Sequence, residues 1–276
     1  MRKFNRKWIE NKVVVLSGAS SGIGREVTKI LINRYHCTVI GIGRNESKMV
    51  SLIEELGETK SSFSYRLFDV SIEQNWIDFA NDLVANNISI DILINNAGIL
   101  PPFKSADKFS IDEIKNTFDI NFFSCIYAIN YLRPILSQSH TPAIINISSS
   151  AALCPLVGCS VYSATKSALK NYTEALRSEC HKDMYIGLIC PGLVKTNIFR
   201  NQTRKKNSIV DKISMNSTTA GKKIVRSIKR RKRRAVIGID AKFMDILYRL
   251  FPRSSTQFIK SILKASKLDL FNDIFN

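Results

Sequence analysis

An apolar segment that runs directly into a glycine-rich turn is the feature that most restricts how this chain can fold. Residues 12–17 read Lys-Val-Val-Val-Leu-Ser and predict a buried strand, and Gly18, Gly22 and Gly24 follow before a helical pattern. Glycines let the backbone turn tightly, and the start of a helix attracts a pyrophosphate. The segment therefore predicts a strand, turn and helix that bind a dinucleotide. A glycine-rich connection alone is weak evidence, because many strand-to-helix turns contain glycine.

Similar apolar strands recur along the chain and alternate with helical patterns, which is typical of α/β proteins. Polar residues follow several of these strands, and ligands in open α/β sheets collect at the carboxyl ends of strands. Helices are expected at about 22–35, 46–56 and 111–136, from Ile72 and from Thr219 into Arg234, and on both sides of Pro252. Strands are expected at 37–42, 63–68, 91–94, 144–147, 184–190 and 235–239.

Tyr162 and Lys166 lie four residues apart on a predicted helix, so their side chains project from the same face. A phenol has a reference pKa near ~10, and a nearby fixed positive charge lowers that value. We therefore expect a proton-transfer pair in which Lys166 lowers the pKa of Tyr162. A surface tyrosine and lysine that share a face by chance are the alternative, and only neighbouring motifs argue against it.

Four motifs occur in a fixed order along the chain. They are Gly-x-x-x-Gly-x-Gly at 18–24, Asn-Asn-Ala-Gly at 95–98, Ser149 after the strand at 144–147, and Tyr-x-x-x-Lys at 162–166. Together they resemble the short-chain dehydrogenase/reductase family over nearly the whole chain. Ser149 stands thirteen residues before the tyrosine, as the catalytic serine of that family does, and its neighbours Ser148 and Ser150 are the residues that could be confused with it.

The resemblance implies an α/β fold of the Rossmann type: a doubly wound, mostly parallel sheet of seven strands with helices on both faces. It also implies a single domain over 1–276, in which a basic lid and a C-terminal helical extension occupy about 193–276. The lid itself is expected at about 197–217, where the composition becomes polar and basic.

The resemblance further implies reversible hydride transfer between a nicotinamide cofactor and a carbonyl or secondary-alcohol substrate. Tyr162 would be the general acid and base, and Ser149 would hydrogen-bond the same substrate oxygen. Lys166 would lower the Tyr162 pKa and bind the nicotinamide ribose, while Asn121 would hold a water of the proton relay. A plain buried asparagine satisfied by backbone groups is the alternative for Asn121.

Arg44 follows the second strand, where a carboxylate would accept from the ribose of NAD and an arginine can pair with the 2′-phosphate of NADP. We therefore expect NADP(H), with NAD(H) as the alternative. Arg25 is either a second phosphate ligand or a helix-surface residue. Asp69 matches the aspartate that contacts the adenine edge in the family, and it can also be the N-cap of the next helix, since the two roles are compatible. The expected cofactor-binding residues are Gly18, Ser20, Ser21, Gly22, Ile23, Gly24, Arg44, Asp69, Val70, Asn95, Ala97, Gly98, Tyr162, Lys166, Pro191, Gly192 and Thr196.

Apolar residues near the expected lid favour a hydrophobic carbonyl substrate, although such residues also simply pack in most proteins. They are Leu100, Phe103, Leu153, Leu156, Val157, Ile198 and Phe199.

Positive charge is concentrated at the carboxyl end. From Lys195 onward there are 21 Lys and Arg against 5 Asp and Glu, an excess of 16 out of a net +18. Two amphipathic helices lie in the same region, so we expect peripheral contact with an anionic membrane. Packing of their apolar residues on the core or a second subunit is the alternative, with Lys229 to Arg234 as a solvated helix end. Nucleic acid is disfavoured, because that basic run lacks aromatic residues for base stacking. The apolar residues concerned are Phe243, Met244, Ile246, Leu247, Leu250, Phe251, Phe258, Ile259 and Ile262.

Several classes are excluded by what the sequence lacks. The six cysteines and three histidines have no metal-ligand spacing, so we expect buried free thiols and no metal. No secretory signal or apolar run of membrane-spanning length is present, which predicts a cytoplasmic protein, with a peripheral membrane position as the alternative. The family resemblance implies a homo-oligomer, a dimer or tetramer, formed through the helices that carry Asn121 and Tyr162. The rival function is a non-catalytic nucleotide-binding protein with a basic C-terminal interaction surface.

Overall fold

The computed structural model describes residues 7–180, 183–196 and 214–265. Seven of its strands form one parallel sheet, and two short strands pair separately. The seven are β1 (Val13–Ser17), β2 (Thr38–Gly43), β3 (Phe63–Leu67), β4 (Ile92–Asn95), β5 (Ala143–Ile147), β6 (Tyr185–Pro191) and β9 (Arg234–Ile237), and the separate pair is β7 (Val194–Lys195) with β8 (Met215–Asn216).

The helices alternate with the strands, as expected from the sequence. The bounds of the first two helices match the prediction. The segment predicted as one helix over 111–136 is interrupted by one turn of π-helix at Asp119–Phe123. The helices are α1 (Gly22–Tyr35), α2 (Glu46–Leu56), α3 (Glu73–Ala85), α4 (Ile111–Phe118), α5 (Ser124–Leu136), α6 (Ser160–Glu179), α7 (Ser217–Lys229), α8 (Ile239–Leu250) and α9 (Ser255–Ala265).

The strand order is β3-β2-β1-β4-β5-β6-β9, with every neighbouring pair parallel. The chain builds outward in one direction from β1 to β3 and then in the other from β4 to β9. In open α/β sheets a crevice forms at this reversal, outside the carboxyl ends of the central strands. The doubly wound parallel sheet of seven strands is therefore confirmed, and its topology fixes where a ligand can bind.

Alternating side chains of each strand pack against helices on opposite faces of the sheet. On one face, Leu16 of β1 lies in a core with Leu31 of α1 and Ile224 of α7. On the other, Val15 lies in a core with Trp76 of α3 and with residues of α5 and α6. Both faces are thus buried, which explains why the strands read as continuous apolar runs.

The backbone of the basic run after α7 is tied to the core of the protein, whereas the side chains of Arg230, Lys232 and Arg233 are exposed. The alternative of a solvated helix end over Lys229 to Arg234 differs from the structure, in which the helix ends at Lys229 and Arg234 belongs to β9. The Trp8 indole donates to the Lys229 carbonyl at 2.9 Å, and the Arg231 guanidinium lies 4.4 Å from the Trp8 ring centroid. The Tyr185 hydroxyl donates to the carbonyl of Lys232 at 2.9 Å.

All six cysteines are free thiols, five of them buried and Cys180 partly buried, which agrees with the expectation from the sequence. Across the described ranges no helix has both the length and the apolar character needed to cross a bilayer. Most of the expected lid, residues 197–213, lies outside the part of the chain that the structure describes. Ile198 and Phe199, expected near the substrate, also lie outside the described residues.

Candidate active site

A cavity of about 710 Å³ opens at the carboxyl ends of the central strands. Its wall is built by the segments that follow β1, β2, β4, β5 and β6, as the strand order predicts. Most of the residues singled out in the sequence meet there. Those that line it are Gly18, Ser21, Gly22, Ile23, Arg44, Ala97, Gly98, Ser149, Tyr162, Lys166, Pro191, Gly192 and Thr196. Those outside its lining are Ser20, Gly24, Asp69, Val70, Asn95 and Asn121.

The glycine-rich loop is tightly packed and leaves the start of α1 open to a ligand. A side chain at Gly24 would meet the carbonyl oxygen of Gly18 at 2.1 Å, so only glycine lets the helix approach the loop this closely. Ser21 precedes α1, and its side chain does not cap the helix. The first N–H groups of α1 therefore keep the capacity to bind an anion, which is the chemistry a pyrophosphate requires.

Asn96 and Ser17 hold this loop against the end of β4. The Asn96 amide donates to the main-chain carbonyls of Ser17 at 3.0 Å and Gly18 at 3.3 Å. In return, the Ser17 hydroxyl accepts from the backbone N–H groups of Asn96 at 3.0 Å and Ala97 at 3.1 Å. Neither role was predicted, although the repeated asparagine at 95–96 was a local signal for one of them.

Two cations line the end of the cavity next to β2. Arg44 donates from Nη1 to a carboxylate oxygen of Asp69 at 2.8 Å, while Lys48, four residues later, lines the same end. Lys48 was missed, and its spacing from Arg44 was the signal that could have found it. Arg25 is the helix-surface residue of the two alternatives, because its guanidinium is bound to Glu55 and to carbonyls of α2.

Asp69 accepts from the backbone N–H and hydroxyl of Ser71, at 3.0 and 2.6 Å, and from Arg44. It does not cap α3, whose N-cap position is Ile72, so that expectation is wrong. Burial opposes the charged form of this carboxylate, but the hydrogen bonds from Ser71 and Arg44 outweigh it and hold its pKa below the usual value.

Tyr162 and Ser149 meet inside the cavity. Burial raises the pKa of Tyr162 to about 12, and a hydrogen bond from the Ser149 side chain opposes part of that rise. The expectation that Lys166 lowers this pKa is not what the structure gives, since the Lys166 ammonium lies 6.0 Å from the phenol ring centroid and burial dominates. The phenol is therefore held protonated at neutral pH.

The three consecutive serines after β5 have separate environments. Ser148 is buried, and its hydroxyl donates to the main-chain carbonyl of Lys166 at 2.9 Å. Ser150 is buried in the following 3₁₀ turn. All three serines line the cavity, but it is the Ser149 side chain that hydrogen-bonds Tyr162, and its hydroxyl also accepts from the Ala151 N–H at 3.2 Å.

Lys166 is buried at the floor of the cavity. Its ammonium donates to the carbonyl of Ile147, the last residue of β5, at 3.3 Å. Burial lowers its pKa from the ordinary value, because a charged amine loses solvation there. A buried ammonium that lines a cavity is well placed to bind hydroxyl groups of a ligand.

Asn121 occupies the π-helical turn and is fully buried. Its amide accepts from the Ile99 N–H at 2.8 Å and donates to the Ile99 carbonyl at 2.9 Å and to Thr165 Oγ1 at 3.2 Å. These contacts agree with the backbone-satisfied alternative for its side chain. They fasten the segment after β4 to the helix that carries Tyr162.

Asn95, expected at the cofactor, points away from the cavity. Its amide donates to Asn146 at 2.8 Å, and Asn146 donates to Thr173 at 2.9 Å, all three being buried. This chain links β4, β5 and α6 beneath the site.

Asp240, at the start of α8, holds the segment that follows β6. Its Oδ2 accepts from the Leu193 N–H at 2.6 Å, and a side chain at Gly192 would lie 2.2 Å from the same oxygen. Only glycine fits at position 192, because the Asp240 carboxylate occupies the space that a side chain would need. The contact joins residues 47 positions apart, and no local pattern in the sequence signals it.

The donor set fits a nicotinamide dinucleotide. An uncapped helix N-terminus and two cations lie at one end of the cavity, and a phenol, a hydroxyl and a buried ammonium lie at the other. Phosphates, a sugar and a reacting carbon would each find the chemistry they need along this wall.

Comparison with known proteins gives a consistent result. A family model described as short chain dehydrogenase matches residues 12–207. The chain is 31% identical over 194 residues to the benzil reductase ((S)-benzoin forming) of Saccharomyces cerevisiae, covering 68% of this chain and 73% of that protein. It is 30% identical over 190 residues to the NADP-dependent 3-hydroxy acid dehydrogenase YdfG of Shigella flexneri, covering 68% and 75%. A short chain dehydrogenase/reductase from Burkholderia phymatum, crystallised in complex with NAD, has the same fold with a TM-score of 0.78 at 20% identity, covering 88% and 94%.

Proposed function

The chain belongs to the short-chain dehydrogenase family of oxidoreductases, and we propose that it transfers hydride between NADP(H) and a hydrophobic carbonyl or secondary alcohol. One observation carries the proposal. Tyr162, Ser149 and Lys166 meet at one end of a cavity whose other end carries Arg44 and Lys48. Proton-transfer groups and an anion-binding end within one cavity are what such a reaction requires.

In carbonyl reduction, Tyr162 donates its phenolic proton to the substrate oxygen. The raised pKa of about 12 keeps that proton in place until negative charge develops on the oxygen. Ser149 donates a hydrogen bond to the same oxygen, which stabilises the developing charge before the proton moves. The cofactor, when bound, supplies or accepts the hydride. In the oxidation direction the same two side chains act in reverse, and Tyr162 takes the proton of the alcohol.

Lys166 would bind the nicotinamide ribose hydroxyls from the floor of the cavity. The Ile147 carbonyl fixes its ammonium there at 3.3 Å. Asn121 would act by holding Ile99 and Thr165, and thereby the walls of the site, in place. Ala97, Gly98 and the loop from Pro191 to Thr196 would flank the ribose and the nicotinamide.

The preference for NADP(H) is supported by the two cations beyond β2. Arg44 can bind a 2′-phosphate through N–H groups other than the Nη1 that donates to Asp69, and Lys48 adds a second positive charge. The relative from Shigella flexneri is NADP-dependent by name, while the structure from Burkholderia phymatum holds NAD. NAD and NADP both occur among similar proteins, so the proposed preference for NADP(H) rests on Arg44 and Lys48 of this chain.

A hydrophobic substrate is supported by the wall around the reacting end. Leu100, Phe103 and Leu156 line it, whereas Leu153 and Val157, also expected there, are not part of the lining. The similar protein from Saccharomyces cerevisiae is named for reduction of benzil, an aromatic ketone. An apolar wall gives most of its binding free energy to ligands of this kind.

The decisive experiment is turnover of a panel of aromatic and lipid-like ketones with NADPH and with NADH, followed by cofactor absorbance. We expect NADPH-dependent reduction, and Tyr162→Phe should lower kcat by about 10²- to 10⁴-fold while NADPH still binds. A variant that kept more than about a tenth of the rate would remove Tyr162 from its role. Tight NADPH binding with no turnover on any ketone would favour the rival function, a nucleotide-binding protein without catalysis.

We also propose a homo-oligomer built on α4, α5 and α6. Phe123 in the π turn and Ile111 at the start of α4 are exposed apolar side chains on that surface, and a partner subunit would bury them. Light scattering of the purified chain measures the association directly. The cytoplasmic location expected from the sequence stays a prediction.

A further inference from the structure

Large apolar side chains on α8 and α9 are exposed to solvent. Scattered exposed hydrophobic residues are normal, but here they are concentrated, since seven of the thirteen such residues described lie within 24 positions. On α8, Ile239, Phe243, Ile246 and Leu250 follow the helical repeat and form one stripe. The set, which we call the apolar face, comprises Ile239, Phe243, Ile246, Leu250, Phe251, Phe258 and Ile262, each between 46% and 88% exposed.

Both helices are anchored through their opposite sides. Ala241 of α8 is fully buried, and Ser255 and Ile259 of α9 are buried as well. Arg234 of β9 donates to Asp245 of α8 at 2.8 Å. The two helices therefore pack on the protein through other side chains, and the apolar face is left exposed.

The charged side chains around the apolar face have one sign. Between residues 239 and 264 every exposed charged side chain is cationic. The two carboxylates of the segment are partly buried and bound, Asp240 to the Leu193 N–H and Asp245 to two arginines. The exposed cations are Lys242, Arg249, Arg253, Lys260 and Lys264.

We propose that α8 and α9 bind the surface of an anionic lipid bilayer. The apolar face would enter the boundary between headgroups and acyl chains, and the five cations would meet the anionic headgroups. Apolar insertion and charge attraction add together in this mode of binding, so the apolar face and the five cations would both contribute.

A second copy of the chain fits this surface less well. A twofold contact would bring the five cations of one subunit against the same five of its partner, and like charges repel across an interface. Nucleic acid fits the cations but not the apolar face, because protein–nucleic acid interfaces are polar and positively charged. An anionic lipid surface matches both the apolar face and the positive charge around it.

The position of the two helices gives membrane binding a consequence for the cavity. The 3₁₀ turn Ser150–Ala152, directly after Ser149, packs against α8, and α9 places Ser255 against Cys154. A bilayer bound to the apolar face would lie about one helix diameter from that turn, or roughly 10 Å. The inference does not rest on the proposed function, because binding is measured without turnover.

The test is cosedimentation of the full chain with phosphatidylcholine vesicles, with or without about one third phosphatidylserine. We expect binding only to the anionic vesicles, with an affinity that falls as salt is added. Equal binding to neutral vesicles, or no binding to anionic vesicles at low salt, would overturn the proposal.

Two variants test the contributions of the apolar face and of the cations separately. Phe243→Ser combined with Ile246→Ser and Leu250→Ser should weaken binding at least about 30-fold, since each exposed apolar side chain that is lost no longer inserts. Lys242→Gln combined with Arg253→Gln, Lys260→Gln and Lys264→Gln should weaken it at least about 100-fold. These side chains are exposed, so the variants should keep the circular dichroism and melting temperature of the parent.

Matched controls use exposed residues of the same types elsewhere. Val84→Ser on α3 and Lys60→Gln, both exposed, should leave vesicle binding unchanged. Equal losses in the controls would overturn the assignment to α8 and α9. So would a dimer by light scattering that the apolar-face variant abolishes, or binding to duplex DNA that exceeds binding to the anionic vesicles.

Discussion

The hydroxyl of Ser148 donates to the main-chain carbonyl of Lys166 at 2.9 Å. This hydrogen bond joins the end of the strand that presents Ser149 to the middle of the helix that presents Tyr162. The relative position of the Ser149 and Tyr162 hydroxyls is therefore set in part by Ser148, whose own hydroxyl is engaged with the main chain. A fixed geometry of this kind matters, because small displacements of reacting groups are costly in rate.

Ser148→Ala should lower kcat about tenfold while NADPH affinity stays unchanged, because the strand and helix lose their shared fastening. The free energy of unfolding should fall by about 1 kcal/mol, as for an ordinary hydrogen bond. Ser227→Ala is the matched control, since that hydroxyl donates to a carbonyl within its own helix. It should lose similar stability and no rate, and an equal loss of rate in both variants would refute the role of Ser148.

Arg44→Ala with Lys48→Ala should weaken NADPH binding about tenfold or more and leave NADH binding nearly unchanged, because only NADPH carries the 2′-phosphate. Isothermal titration with each cofactor measures this. Arg25→Ala is the control, since its guanidinium braces α2 through Glu55. It should affect both cofactors alike. Preference of the unmodified protein for NADH would contradict the assignment.

The pH dependence should differ between the two reaction directions. With the pKa of Tyr162 raised to about 12 by burial, the phenol form persists up to alkaline pH, so reduction should not fall between about pH 6 and pH 9. Oxidation, which needs the proton to be lost, should rise with pH over the same range. Profiles of kcat/KM in both directions measure this, and a reduction rate that drops tenfold per unit above neutrality would be incompatible with it.

Asp240→Ala should weaken cofactor binding about tenfold, because the Leu193 N–H loses a charged acceptor and the loop after β6 loses its fixed position. Asp245→Ala is a matched control on the same helix, where the carboxylate binds Arg234 and Arg249 instead. Fluorescence titration with NADPH should change only for Asp240→Ala. Equal affinities in the two variants would show that the loop does not depend on this contact.

Much of the fold could be predicted because its signals are local. Apolar strands bounded by glycine and polar residues gave the sheet, and the bounds of α1 and α2 agreed with the pattern. The interruption at Asp119–Phe123 was not predicted, because no repeat in the sequence reveals a π turn or the contacts that its Asn121 makes with Ile99 and Thr165.

The features of the site also divide into those that the sequence could predict and those that it could not. Tyr162, Lys166 and Ser149 could be found from motif spacing, and the cavity brings them together. Asn95 could not be assigned correctly, because a strand end has two sides and only the pairing with Asn146 decides which one it faces. The direction of the shift in the Tyr162 pKa was also beyond the sequence, since burial is its largest cause and burial is a property of the folded chain.

Trp8 donates to the carbonyl of Lys229 across 221 positions of sequence, and the β9 strand follows directly after that contact. During synthesis the first six strands of the sheet leave the ribosome long before their last neighbour does. The nascent chain must therefore hold an unfinished sheet, with the edge of β6 open, until β9 emerges and Trp8 finds its acceptor. Long-range closure of this kind slows folding, so we expect the meeting of Trp8 with the basic segment after α7 to be a late step in the folding of this chain.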